Sequence, residues 1–492
     1  MGTKRLIIFT VIIFITLSCS DSYFNVYPSD SLTEDPFYST KQELAFGVND
    51  AYYSLRTAYA NYESIGDLPA DDVFNQKYNQ QTDNIALNES SVVSTNAVIS
   101  TIWSGAYQVI SRTNIVLEKM KAVTFDTTLN KQYEGECKFL RGLMYFNLVQ
   151  IFGSVPLVLT DIKTVAEDFS IGQETVDNIY IQIIQDLTDA YNLLPANYTN
   201  NADKGRATSL AAETLLGKVY LTRGRYQDAF NILQGVIASG VPQLLSNYSD
   251  VFSASNPNNA EIIFAVQYAR GYSPSMSNPF QRRNFPGESI GTTPYLKTGS
   301  GEYMLTTSFV RAFNKLDKRL IYVDSLKSLM FAPRYFYFSK KYIDLGQTTV
   351  GDAGNDWMIL RYADVLLMCA EAKAALNLPF DALPFITQVR TRAGLTTDNA
   401  IAATQASMNL AIENERRFEF YTEGHRWFDL LRTGRLQTVM NDYFANGAQW
   451  PAEESGWGNT PSNSVSDYEL LFPIPFLQVQ LNPTKLIQNP GY

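Results

Sequence analysis

The chain of 492 residues carries 39 Lys and Arg against 49 Asp and Glu, a formal net charge of −10 at pH 7, with one His and three Cys. That acidic balance argues against nucleic acid and against electrostatic attachment to anionic lipid. So few cysteines and histidines argue against a disulfide framework or a metal centre, and we expect neither metal nor cofactor.

The first residues read as an address. Lys4 and Arg5 precede an apolar run from Leu6 to Leu17, which ends at Ser18 and Cys19. The run is shorter than the ~20 residues that span a bilayer. A charged start, a short apolar core and a small residue before a break describe a secretory signal over residues 1–18. Cys19 directly after it is the expected lipid attachment, although Thr16 stands where the usual lipobox has Leu. One lipid there would hold the protein on a membrane without crossing it. Without residues 1–18 the chain has 37 basic and 49 acidic residues, a net charge of −12. Cys137 and Cys369 lie inside helical patterns and read as small buried hydrophobes.

Residues 19–36 read as anchor and tether, and residues 37–492 as one domain, because no Pro-, Gly- or Ser-rich linker divides them. A helical core is expected mainly over 37–246 and 357–440, and an irregular half over 247–356 and 441–492. Leu44 to Tyr59 has helical spacing. Asp71 and Asp72 follow, then a polar loop from Asn75 to Val98. Trp103 to Met120 is helical again. So is Gln132 to Val158, stopping at Gly153 and Pro156, with Arg141 predicting a buried ion pair. Leu216, Gly217, Tyr220, Ala229 and Leu233 stand at the offsets of a tetratricopeptide unit. A looser copy runs from Leu360 to Leu395, with Ala370, Ala382 and Ile386. Gln132 to Gly153 and Thr175 to Leu194 could form a further pair. Stacked pairs of this kind bury a shared core.

Asn247 to Asp356 has little helical periodicity. Glu261 to Tyr268 reads as a strand, and Arg334 to Phe338 alternates like another. Tyr272 to Gly301 is a long irregular loop, of a kind that is usually functional or disordered. Trp357 to Ala375 restarts the helices. Phe444 to Asp467, with Trp450 and Trp457, is irregular again. The closing prolines Pro473, Pro475, Pro483 and Pro490 fix an extended path that pins the C-terminus over the core.

Glu413 to Arg435 mixes charge and aromatics densely. Glu415, Glu419 and Glu423 fall in one i, i+4 row, Leu410, Phe418 and Tyr421 on an apolar face, and Gly424 interrupts the pattern. The only histidine, His425, has Asp429 one turn on, which would suit acid/base work. Buried ion pairs imitate such sites. We read Glu415, Arg416, Arg417, Glu419, Glu423, Arg426 and Asp429 as a structural ion-pair cluster. No phosphate loop, zinc-ligand cluster or G-x-S-x-G motif is present, and no motif marks a glycosidase carboxylate pair.

Several stretches, in order, resemble the SusD/RagB family of outer-membrane lipoproteins of the Bacteroidetes. They are FLRGLMYFNLVQIFGSVPLV (139–158), AAETLLGKVYLTRGRYQDA (211–229), LRYADVLLMCAEA (360–372), VRTRAGL (389–395), ERRFEFYTEGHRWFDLLRTGR (415–435) and LLFPIPFLQVQLNPTKLIQNPGY (470–492). The resemblance implies an all-α fold of four tetratricopeptide-like units with a large irregular ligand-binding insertion. It implies a non-catalytic surface lipoprotein that binds glycan and acts as the lid of a SusC-like TonB-dependent transporter in nutrient uptake. Peptide binding, as in a RagB-like importer, is the alternative. It also implies that the 413–435 stretch is structural.

The family's sugar site uses the loop after the first helix and the large insertion. A sugar needs aromatic faces for its C–H surface and planar polar groups for its hydroxyls. Asp71 and Asp72, then Tyr78, Asn79 and Asn96, are the expected contributors from the loop. Tyr295, Tyr303, Arg334, Tyr335, Tyr337 and Trp357 are those from the insertion.

Overall fold

The computed structural model describes residues 38–75, 81–123, 126–273, 275–287, 299–327, 335–445 and 464–492. Cys19, Tyr78, Asn79, Tyr295, Arg334, Trp450 and Trp457 lie outside these residues.

Helix pairs form the body. Helix α1 (Lys41–Tyr59) packs on α2 (Ala97–Lys119), α3 (Thr127–Phe152) on α4 (Val176–Leu193), α5 (Ser209–Thr222) on α6 (Tyr226–Ala238), and α7 (Tyr362–Ala375) on α8 (Pro379–Arg392). Each pair also meets the next, through α2 on α3, α4 on α5 and α6 on α7. The fold is thus all-α in its body, a stack of four tetratricopeptide-like units among the described residues. Side-chain caps set the starts: Thr40 forms a capping box with Glu43, and Asn96, Asp126, Thr175 and Thr208 cap α2 to α5. These oxygens satisfy backbone N–H groups that the helix leaves without partners.

The α5–α6 crossing explains the repeat residues. A Cβ on Gly217 would stand 2.6 Å from the Leu233 side chain, so only hydrogen fits there. Ala229 and Leu233 are fully buried beside it. Arg141 on α3 pairs with Asp186 of α4 at 2.7 Å and bonds Asn114 of α2 at 2.8 Å, which ties two units together.

Two insertions interrupt the stack. The first lies between α1 and α2 and holds β1 (Val73–Phe74). The second lies between α6 and α7 and holds β2 (Ile262–Val266), β3 (Met304–Leu305), β4 (Val323–Lys327), β5 (Tyr335–Ser339) and β6 (Trp357–Arg361). Strands β1, β3, β5 and β4 form one antiparallel sheet in that order, so the two insertions share a sheet. Strands β2 and β6 form another.

Three expectations need correction. Residues 357–361 are a strand, because Trp357, Met358, Leu360 and Arg361 pair with β2, and the helix starts at Tyr362. The polar loop contains a helix, Thr82–Asn88. Leu410 is exposed, since α9 (Gln405–Phe420) turns Met408 and Ile412 inward instead. The C-terminal tail does lie on the core. Phe472 donates its backbone N–H to Ile151, and the buried Asn489 amide donates to the carbonyls of Phe152 and Phe472. The Cys137 and Cys369 thiols are buried and unbridged.

Candidate functional site

The dense charges after residue 413 face inward. Helix α9 ends at Phe420, and Thr422 (φ 56°) and Gly424 (φ 76°) turn the chain into α10 (Arg426–Arg432). Two helices meet at Gly424, one of the two outcomes its interruption allowed (the other being one kinked helix), and Glu423 sits in the turn between them, a correction to its place in the i, i+4 row of Glu415 and Glu419. Arg361 at the end of β6 reaches Glu261 (2.9 Å), Glu419 (2.6 Å) and Glu423 (2.8 Å). Arg392 of α8 reaches Glu261 and Glu419. Arg319 holds Glu415, Glu419 and Asp317. Lys341 gives its ammonium to Glu423 and to the carbonyls of Glu419 and Tyr421. All these groups are buried, and they join the insertion, α8 and α9.

Burial alone would raise the Glu419 carboxyl, but Arg392, Arg361 and Arg319 outweigh it and hold the group below the usual carboxylate range. Burial pushes Lys341 down to about 8, against the pull of Glu423. Burial, helped by Lys218 and Arg416, pushes the His425 imidazole down to about 3. His425 stacks on Phe420, while the Asp429 carboxylate is occupied by Arg416 and Arg432. No His425–Asp429 side-chain bond forms among the described residues, so these two do not make an acid/base pair.

The candidate glycan contacts scatter. Asp71 bonds Arg417 and Arg426, and Asp72 bonds Arg417 at 2.6 Å. Asn96 caps α2 and donates to the Asp83 carbonyl. The Tyr303 ring is fully buried with its hydroxyl on Ser64. Trp357 is 1 % exposed and packs on Phe280 and Tyr342 with ring centroids 4.2 and 5.4 Å away. Asp71, Asp72, Asn96, Tyr303 and Trp357 are thus corrected from ligand contacts to internal ones, because a buried ring or paired carboxylate has no free face for a sugar. Tyr335 is 47 % exposed at one end of β5. Tyr337, two residues on, shares its sheet face and is half-buried. Ser325 and Lys327 stand opposite them on β4, both exposed.

Residues that sequence reasoning passed over complete the junction of the two insertions. Gln81 and Asn84 donate to Glu302, and Ser300 and Arg283 approach the same carboxylate. They lie in loops and very short helices, where no periodicity marks them. A separate cavity of about 740 Å³ opens beside the base of the β4–β5 hairpin, among Phe252, Tyr322, Phe338, Arg270 and Lys340.

Two family models match this chain: one described as SusD family over residues 321–492, the other as starch-binding associating with outer membrane over residues 23–221. The chain belongs to the SusD/RagB family. A SusD-like protein of Formosa agariphila is 26% identical over the whole of both chains. One of Bacteroides ovatus is 26% identical over 92% of this chain and 86% of its own. Among solved structures, a laminarin-binding SusD-like protein is 27% identical, covers 92% of this chain and 100% of its own, and has a TM-score of 0.73. A SusD superfamily protein from Parabacteroides distasonis is 25% identical, covers 94% and 100%, and also has a TM-score of 0.73.

Proposed function

We propose that this chain is a non-catalytic glycan-binding lipoprotein, lipidated at Cys19, on the outer face of the outer membrane. It acts there as the lid of a SusC-like TonB-dependent transporter during nutrient uptake. The observation that carries the glycan reading is the kinship, along nearly the whole chain, with a SusD-like protein whose name states that it binds laminarin. Lack of catalysis is supported by the carboxylates of the charged cluster, which are each engaged by arginine or lysine and leave no acid/base pair facing a cleft. The glycan would stack on Tyr335, with Tyr337 beneath it and Lys327 and Ser325 opposite. Tyr78, Asn79, Tyr295 and Arg334 are further candidates for the same glycan.

The test is an affinity-gel screen of the soluble form starting at Ser20 against neutral and anionic polysaccharides, with a peptide mixture beside them. We expect retention by a polysaccharide, weakened about tenfold or more by Tyr335→Ala, in line with the loss of a stacking ring. No new reducing ends should appear on long incubation. Retention of peptides alone would move the assignment to a peptide importer, and breakdown of any polymer would overturn the non-catalytic reading.

A further inference from the structure

The 740 Å³ cavity beside the β4–β5 hairpin lies away from Tyr335. Phe338 faces it, and successive strand residues point to opposite sides of a sheet, so Tyr335 and Tyr337 look the other way. Its size falls within the range of ligand pockets. Tyr322 is its partly exposed ring: the buried Phe252 backs it edge-on with centroids 5.2 Å apart, and the Tyr322 hydroxyl is fixed on the Ser249 carbonyl. Lys341 lies 4.9 Å from the centre of the Phe252 ring, which anchors that ring to the buried charge network.

The charges at this cavity cancel within the protein. Lys340 pairs with Asp324 at 3.0 Å, and Arg270 with Asp344 at 2.5 Å. Asp344 is buried and also accepts the backbone N–H groups of Gly346 and Gly354, so its loop is held in place. Arg270 uses only Nη1 in these bonds, and its other N–H groups make no hydrogen bond among the described residues. An anionic ligand would find no net positive charge here. An uncharged ligand with an apolar face and many hydroxyls fits the Tyr322 ring, with paired charges and the free Arg270 donors around it.

We infer that this cavity is a second carbohydrate subsite, selective for neutral saccharides. It would let one molecule hold a long polymer at two points. The inference rests on the glycan-binding reading above. Two weak contacts to one chain raise retention well beyond either alone.

The experiment uses the soluble chain from Ser20 on gels containing laminarin, starch or mannan, with alginate and carrageenan as anionic counterparts. Ser255→Trp places a bulky ring at the cavity's exposed lip. Arg270→Ala removes the free donors while Asp344 keeps its two backbone bonds. Thermal melts check that both variants fold. Both are expected to lower retention by a neutral polymer about tenfold, while calorimetry with the matching hexasaccharide falls from two sites per chain to one. Unchanged retention in both variants, together with loss in Tyr335→Ala, would overturn the second subsite and leave the glycan reading standing. Preference for the anionic gels would overturn the neutral assignment. Wild-type protein retained by no polysaccharide would overturn both readings. Loss in Ser255→Trp with Tyr335→Ala unaffected would keep the cavity and remove the Tyr335 face.

Discussion

Arg361 shows what a single buried side chain does here. It sits 2 % exposed and contacts three carboxylates from two distant segments. Arg361→Met would leave Glu261, Glu419 and Glu423 short of a cation, and we expect a loss of about 3–5 kcal/mol in urea unfolding. A loss under about 1 kcal/mol would show that Arg392 and Lys341 suffice. Asp356 makes the opposite case. Its carboxyl accepts the Tyr268 N–H with one oxygen and has no partner for the other among the described residues. Burial raises it to about 7. The folded state therefore keeps a proton that the unfolded state releases near pH 4, and stability falls as pH rises from about 4 to about 7. Asp356→Asn keeps the acceptor and removes the charge. It should match wild type near pH 4 and exceed it by about 1–2 kcal/mol at pH 8, less than full linkage because the group is partly exposed. Melting curves at the two pH values test this, and an equal gap at both would refute it.

At the scale of elements, close approach governs. The α5–α6 pair is joined where Gly217 meets Leu233, and Gly217→Val should separate the helices at a cost of about 1–3 kcal/mol. The turn between α9 and α10 depends on Gly424, whose positive φ strains any side chain and where a Cβ would stand 3.2 Å from Trp357 and Tyr62. Gly424→Ala should cost about 1–2 kcal/mol, read as a lower midpoint in denaturant with an unchanged slope. A changed slope would point to a different, more open folded state.

For the whole molecule, the charge network decides how the insertion and the stack unfold. Arg319, Lys341 and Arg361 belong to the insertion, and their carboxylate partners Glu415, Glu419 and Glu423 to the last helices and their turn. The two parts should open together, with amides near residue 341 exchanging as slowly as those of α3. Faster exchange at residue 341 would mean that the insertion opens by itself. Acid should undo the network. Despite burial, the Asp71, Glu419 and Asp429 carboxyls are held below their usual range by neighbouring arginines. Their contribution is complete above about pH 5 and is lost as pH falls through about 4 and below. The chain should therefore unfold steeply in acid, which circular dichroism would follow.

The sequence by itself determined the helical body. Periodic apolar positions, caps, and small residues such as Gly217 and Ala229 act between near neighbours, and that logic is local enough to read in one chain. It also marked the charged stretch at 413–435 as structural, because solvated helices do not place so many aromatics among charges. Tertiary structure decided the partners of those charges. Arg361, Lys341, Arg319 and Asp71 come from distant segments, and no spacing rule links them to Glu419 or Arg426. It decided that Trp357 belongs to a strand, since only pairing with β2 separates a short apolar run from a helix start. It also decided which aromatics keep an open face. Tyr335 and Trp357 look alike in sequence, but one ends at the surface and the other beneath Phe280. The reason is physical: exposure depends on every neighbour in space, while a sequence records only neighbours along the chain.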